Sequence, residues 1–235
     1  MKNKKLYFTS YLLMIFSTIA ILISLVFLPD IVPLRYDFEG NAVASGSKYF
    51  YLIYILVILV SGLALTLVAR TQGRKEAYVN EKYIITGNIC LIILVNVIIF
   101  YFIIMSYRNI TSDFGEPVTK ITSLVAILLG VFLFAMGLVM PKLTLNSAIG
   151  LRTSWSMYND NVWKKSQKAG GFTMAISGVI IAFLSVLLEG QWPLISAAII
   201  LFIDAIVSIF ISYFIYNKEI AQEKENNNSQ QNPEI

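Results

Sequence analysis

Residues 141–171 read PKLTLNSAIGLRTSWSMYNDNVWKKSQKAGG, and the rest of the chain is read outward from them. The stretch holds five cations (Lys142, Arg152, Lys164, Lys165, Lys168), one acid (Asp160) and two tryptophans (Trp155, Trp163). It joins two apolar runs, ITSLVAILLGVFLFAMGLVM at 121–140 and FTMAISGVIIAFLSVLL at 172–188. A helix of about 17–25 apolar residues crosses the hydrocarbon core of a bilayer, so each run is long enough to span. Two spans bracketing a basic loop point to a helical, multi-pass membrane protein with that loop on the side that retains Lys and Arg.

Four further runs of the same character lie at about 6–28, 49–69, 84–106 and 194–216. The expected fold is therefore an all-α polytopic membrane protein of six transmembrane helices. Composition agrees: 57% of the 235 residues are hydrophobic and 14% are charged, with a mean hydropathy of +0.71. The net charge of +4 is read as topology and lipid contact, so no direct nucleic-acid binding is expected. The start MKNKKLYF resembles a signal peptide, but the apolar run after it is long and ends at Leu28-Pro29-Asp30 without a small-residue cleavage site. It is expected to be an uncleaved first span.

Lys2, Lys4, Lys5, Arg70, Arg74, Lys75, Lys82, Lys218 and Lys224 fall at the same set of span ends as the five cations of 141–171, against Arg35, Lys48, Arg108 and Lys120 opposite. This asymmetry predicts both termini in the cytoplasm, residence in the plasma membrane, and outer loops at 29–48, 107–120 and 189–193. The chain divides into a first helix pair with its outer loop (1–70), a third span with flanking loops (71–120), a block of three spans around the basic loop (121–217), and a polar tail (218–235). The tail is too poor in apolar residues to bury itself and is expected to be disordered.

The sequence contains no histidine and one cysteine, Cys90, inside an apolar run. The commonest general base, metal ligand and pH switch are thereby removed together. No catalytic residue, cofactor or metal site is expected, and no nucleophile–base pair assembles from the remaining residues.

Within the spans, Gly171, Ala175, Gly178 and Ala182 share one helix face, and Ala126, Gly130 and Gly137 share another. Small residues at such spacing let helix backbones approach, so the fourth and fifth spans are expected to pack through these stripes. Three intramembrane polar residues need partners or a wet cavity: Asp204, with Ser208 one turn on, and Asn88 and Asn96 of the third span as candidate hydrogen-bond partners. Interhelical hydrogen bonding is one role for Asp204, and coupling to an ion or ligand is the other.

In the first outer loop, LPDIVPLRYDFEGNAVASGSK, Pro29 and Pro33 favour extended backbone, and Gly40 and Gly46 permit turns. A compact loop made acidic by Asp30, Asp37 and Glu39, and also carrying Arg35 and Lys48, is expected. In the basic loop, Gly150 offers close approach, Arg152 a forked donor and Trp155 an interfacial anchor. Asn159 or Asp160 can cap a helix carrying Trp163, Lys164 and Lys168, expected to be an amphipathic surface helix that leads into the fifth span.

The LPD-x-x-P loop ending in GSK, together with N-S-A-I-G-L-R-T-S-W, W-K-K and G-G downstream, resembles the SdpI-like (SdpI/YfhL) family of bacterial toxin-immunity membrane proteins. Its specific part is the set Asn146, Gly150, Arg152, Thr153, Trp155 and Trp163. The resemblance implies a non-enzymatic protein that protects a cell from a secreted peptide toxin and, in some members, senses it by holding a small cytoplasmic repressor at the membrane. The sequence departs from the family pattern at Arg35 and Gln167, where histidine is usual, at Val43, where aspartate is usual, and at Ser154, where proline is usual. The alternative reading is a small transporter or exporter with Asp204 as its coupling site.

Overall fold

The computed structural model describes residues 3–37, 42–75, 79–111 and 121–231. Six helices account for most of them: α1 (Lys4–Phe27), α2 (Leu52–Lys75), α3 (Glu81–Thr111), α4 (Ile121–Val139), α5 (Asp160–Leu187) and α6 (Trp192–Gln231). All six are long and apolar enough to cross a membrane. Their outward surfaces are apolar, with Phe8, Phe16, Phe27, Leu56, Phe183 and Phe202 all exposed. Ser10, Ser17, Thr66, Asn88 and Ser185 are buried between helices instead. Polar groups inward and apolar groups outward is the arrangement a hydrocarbon solvent selects, because lipid offers no hydrogen bonds.

The helices form two sets. In the first, α1, α2 and α3 pack together around Met14, Ile21, Ile58, Ile92 and Ile99. Asn88 lies at its centre, donating to Ser10 Oγ (3.1 Å), the Gly62 carbonyl (3.0 Å) and Thr66 Oγ1 (3.0 Å). In the second set, α5 packs between α4 and α6, with Ala126, Leu133, Ile181 and Ala197 buried.

The small-residue stripes do what their spacing predicts. A Cβ added at Gly130 would stand 2.5 Å from the Gly178 carbonyl oxygen, and one at Gly137 would stand 2.5 Å from the Gly171 carbonyl oxygen. Ala182 and Ala175 fill the adjacent positions. The α4 and α5 backbones therefore touch, and any larger residue at these glycines would force them apart.

At one end of the bundle, β1 (Ile31–Tyr36) and β2 (Ala42–Ser47) pair as an antiparallel hairpin, with register irregularities at Leu34 and Val43. Gly46 lies within β2, not at a turn, and Gly40 lies outside the described residues. The hairpin is fastened to the first helix set by Val32, which is fully buried in its core. Tyr51 adds its hydroxyl, which donates to the Pro33 carbonyl (3.3 Å) and shares a hydrogen bond with Ser106. Lys48 closes the base: its ammonium meets Asp30 (3.2 Å) and the Leu28 carbonyl (3.1 Å), and its amide donates to the Asp30 carbonyl. Arg35 is exposed on β1. Most of the second expected outer loop falls outside the described residues.

Three expectations are corrected. First, α5 runs without a break from Asp160, so the basic segment is no separate surface helix, and Trp163 is fully buried. Second, Asn88 and Asn96 do not partner Asp204: Asn88 serves its own three-helix set, and Asn96 donates to the Ile92 carbonyl one turn back (2.8 Å). Third, the polar tail is helical as far as Gln231. At 1.5 Å per residue, 40 residues reach about 60 Å, twice the hydrocarbon thickness, so α6 projects well past its apolar part. Glu219 and Glu223, one turn apart, bind this extension to the start of α5.

Candidate functional site

At the bundle end opposite the hairpin, residues 143–159 link α4 to α5 and fold back over the start of α5 against α6. Asn146 starts the turn: its Oδ1 accepts from the amides of Ala148 and Ile149 (both 2.8 Å), while its Nδ2 donates to the Thr144 carbonyl (2.8 Å). Side-chain mimicry of backbone pairing by asparagine is the usual way to close such a loop without secondary structure.

Gly150 follows at φ +102°, a region L side chains rarely adopt. The chain is held there by Gln167 of α5, which is fully buried. Its carboxamide treats Leu151 as a strand partner, accepting from the Leu151 amide (2.9 Å) and donating to the Leu151 carbonyl (2.8 Å). A Cβ at Gly150 would come within 2.5 Å of Gln167 Oε1, so glycine is required by space as well as by φ.

The next turn closes on itself. Ser156 Oγ accepts from the Thr153 amide (2.8 Å) and donates to the Leu151 carbonyl (2.8 Å), while the Ser156 amide donates to Thr153 Oγ1 (2.9 Å). Thr153 Oγ1 also meets Ser212 Oγ of α6 at 2.9 Å. Trp163 donates its indole N–H to the Leu143 carbonyl (2.9 Å), locking the start of α5 under the loop. Asn159 caps α5 by accepting from the Val162 amide (2.8 Å).

Aromatic and charged contacts tie this loop to α6. Trp155 stacks edge-on against Tyr213 (5.2 Å) and Tyr158 against Tyr216 (5.0 Å). Tyr158 Oη donates to Glu223 (3.0 Å), and that hydrogen bond pushes its phenol pKa up. Beyond the apolar part of α6, Glu219 accepts from Asn161 Nδ2 and from Lys165 Nζ (3.0 Å). The hydrogen bonds from Asn161 and Lys165, in that order, hold its carboxyl below the usual carboxylate range.

Arg152 is the exception. It is exposed, and among the described residues no hydrogen bond or ion pair engages its guanidinium. It lines a half-open cavity of about 440 Å³ between the loop, α4, α5 and α6. Asp204 lines the same cavity, and its Oδ1 is buried without a hydrogen-bond partner. Ser208, expected on the same face as Asp204, lines it too but pairs with Thr173 Oγ1 (3.1 Å). The remaining walls are apolar, with Met136, Met140 and Met174 among them.

With this geometry in view, one comparison falls on the same part of the chain. Residues 142–212 match the SdpI/YfhL protein family. That interval begins at the loop and ends at Ser212, the α6 residue to which Thr153 is bonded. The chain is also similar to the protein named Immunity protein SdpI of Bacillus subtilis (strain 168), at 22% identity over 192 residues covering 82% of this chain and 86% of that protein. No solved structure matches the chain.

The structure brings the motif residues together but divides their work. Asn146, Gly150, Thr153 and Trp163 build the loop, Trp155 braces it against α6, and Arg152 is presented by it. The outer residues Pro29, Asp30, Pro33, Arg35 and Lys48 stand at the far end of the molecule. The sequence analysis does not single out Ser156 or Ser212, and it gives Gln167 only as a departure from the family pattern, without its role. A signal existed for two of them: Gln167 follows Trp163 by four positions, and Ser212 extends Asp204 and Ser208 by another four, each continuing a single helix face.

Proposed function

We propose that the chain is an immunity protein that protects its cell from a secreted peptide toxin and has no catalytic step. It lies in the plasma membrane with both termini and the loop 143–159 in the cytoplasm and with the hairpin outside, an orientation that the cation asymmetry supports. The toxin is met on the hairpin side. The loop holds Arg152 out for a cytoplasmic partner, a small repressor being the candidate. The carrying observation is the coincidence between the family match and the loop: the matched interval contains a backbone fixed by Asn146, Gly150, Gln167 and Ser156 whose most versatile donor, Arg152, is left unengaged. A loop so ordered around an unspent guanidinium supports recognition more than topology, for which any cation would serve.

The test is survival of toxin-sensitive cells, expressing the chain, against the secreted peptides of Bacillus subtilis strain 168. Expression should raise survival, and Arg152→Ala should lower it at unchanged abundance in the membrane. No gain from the wild-type chain overturns the immunity reading, and full protection by the variant overturns the role of Arg152.

A second reading, a small transporter coupled through Asp204, draws on the buried and unpartnered Oδ1 of that residue. Asp204→Asn would then abolish pH-dependent flux in liposomes. An immunity protein with a structural acid keeps its protection in that variant.

A further inference from the structure

We propose that the open trough between α4 and α5 at the loop end of the bundle binds an anionic phospholipid, phosphatidylglycerol, its phosphate on Lys168 and Lys165 and an acyl chain laid along the helix contact. The trough has a volume of about 570 Å³. Its floor is made by Gly137, Gly171 and Ala175, the residues that bring the two backbones together. The floor lacks large side chains, while Leu138 of α4 and Phe172 of α5 stand out from it, 53% and 68% exposed. The small residues that close the helix contact thus leave a furrow along its lipid-facing side.

The charged groups lining the trough are Lys165 and Lys168, both exposed and both cations. Among the described residues no hydrogen bond or ion pair engages the Lys168 ammonium. Lys165 gives one donor to Glu219 (3.0 Å) and keeps two. Cations at the mouth and hydrocarbon below call for one molecule with an oxyanion at one end and an apolar chain at the other.

Depth along the helices fixes the direction. Because α5 enters the bundle from the loop, Lys165 and Lys168 lie shallower than Phe172, and Ala175 lies about 10 Å beyond Lys168 at 1.5 Å per residue. Across the trough, Pro141 stands at the level of the loop, with Leu138 and Gly137 further in. In a phospholipid the acyl chains hang from the glycerol side of the phosphate, and the headgroup alcohol is the free end. With the phosphate on the lysines, a chain therefore runs inward past Phe172 to Ala175, and the free end points to water.

Charge selects among lipids. Phosphatidylethanolamine would bring an ammonium beside Lys168, whose charge nothing balances, and the nearby acid, Glu219, is already engaged by Asn161 and Lys165. Phosphatidylglycerol brings the phosphate without a cation to place. This inference does not depend on the immunity reading.

The full chain, purified in detergent, is titrated with dioleoyl phosphatidylglycerol and with dioleoyl phosphatidylethanolamine, and retained lipid is read by native mass spectrometry. Phosphatidylglycerol should bind at least about tenfold more tightly, the order of one charge-assisted contact. Lys168→Gln should erase that preference, and Phe172→Ala, which removes one wall, should weaken both lipids. Lys224→Gln, a cation outside the trough, should change neither. Lys168 and Phe172 are exposed, so the fold does not rest on either side chain. Equal binding of the two lipids by the wild-type chain overturns the proposal, as does a preference that survives Lys168→Gln or falls equally in Lys224→Gln. Unchanged retention in Phe172→Ala overturns the placing of the chain. Competition by soluble glycerophosphoglycerol as strong as by the lipid also overturns the proposal, assigning the lysines to a free phosphate.

Discussion

Replacing Gly150 by alanine isolates the idea that the loop is a built structure rather than a tether. Two costs follow from the geometry. The residue holds φ +102°, where a side chain costs about 1–3 kcal/mol. The new Cβ would also stand 2.5 Å from Gln167 Oε1 and 3.0 Å from its Cδ, so the carboxamide must withdraw. Withdrawal puts at risk both hydrogen bonds to Leu151, each worth about 1 kcal/mol. Together these come to about 3–5 kcal/mol, or about a hundredfold to a few thousandfold in the population of an opened loop. Amide exchange on the chain in nanodiscs reads this directly: the Leu151 and Thr153 amides, protected by Gln167 and Ser156, should exchange faster by that factor while α1–α3 is unchanged. The double variant Gly150→Ala/Gln167→Ala provides the internal check. With the carboxamide gone the clash disappears but the φ cost remains, so the two substitutions together should cost less than their sum. Native exchange at Leu151 in Gly150→Ala would refute the reasoning, as would strict additivity of the pair.

Three further outcomes follow from the packing. Gly178→Val places a branched side chain where a Cβ already meets the Gly130 carbonyl oxygen at 2.5 Å and the Phe134 amide at 2.7 Å, so α4 and α5 should separate and membrane abundance should fall, read by quantitative blotting; normal abundance would count against direct backbone contact. Asn88→Ala removes the two N–H donors shared among Ser10, Gly62 and Thr66, each worth about 0.6 kcal/mol in a membrane, and should lower thermal stability in detergent by about 1 kcal/mol with no change in the loop. Glu219 has a folded pKa below its unfolded one, so its contribution is complete above the ordinary carboxylate range and is lost as pH falls through the lowered value. Amide exchange at 216–227 should therefore accelerate on acidification, and Glu219→Gln should show that acceleration already at neutral pH.

Some of this is legible in the sequence. The six spans follow from runs of apolar residues whose length the bilayer fixes. The α4–α5 contact follows from a spacing of four and three that only small residues repeat there. Position along a face was readable; the identity of the partner was not. Asn88 and Asp204 both need polar company, but which helices stand opposite each is decided by three-dimensional packing, and Asn88 found Ser10 and Thr66 in its own set. Gln167 was visible as a departure from a family pattern, yet its pairing with Leu151 depends on a loop folding back over α5. The helical tail is not legible because composition shows only that it cannot bury itself, whereas Glu219 leans on α5 and Glu223 on the loop, extending an existing helix.

The arrangement in two helix sets has a mechanical consequence. The hairpin is rooted in α1–α3 through Val32 and Tyr51, while the loop bearing Arg152 is carried by α4–α6. The polar links across the seam lie near the loop: Asn80 exchanges hydrogen bonds with Thr144, and Ser147 donates to Gln72. The hairpin and the loop therefore belong to different helix sets, held together beside the loop where Asn80 grips Thr144. Loosening that seam, by removing the Asn80 side chain, would change how the loop sits against α1–α3 while leaving each helix as it is.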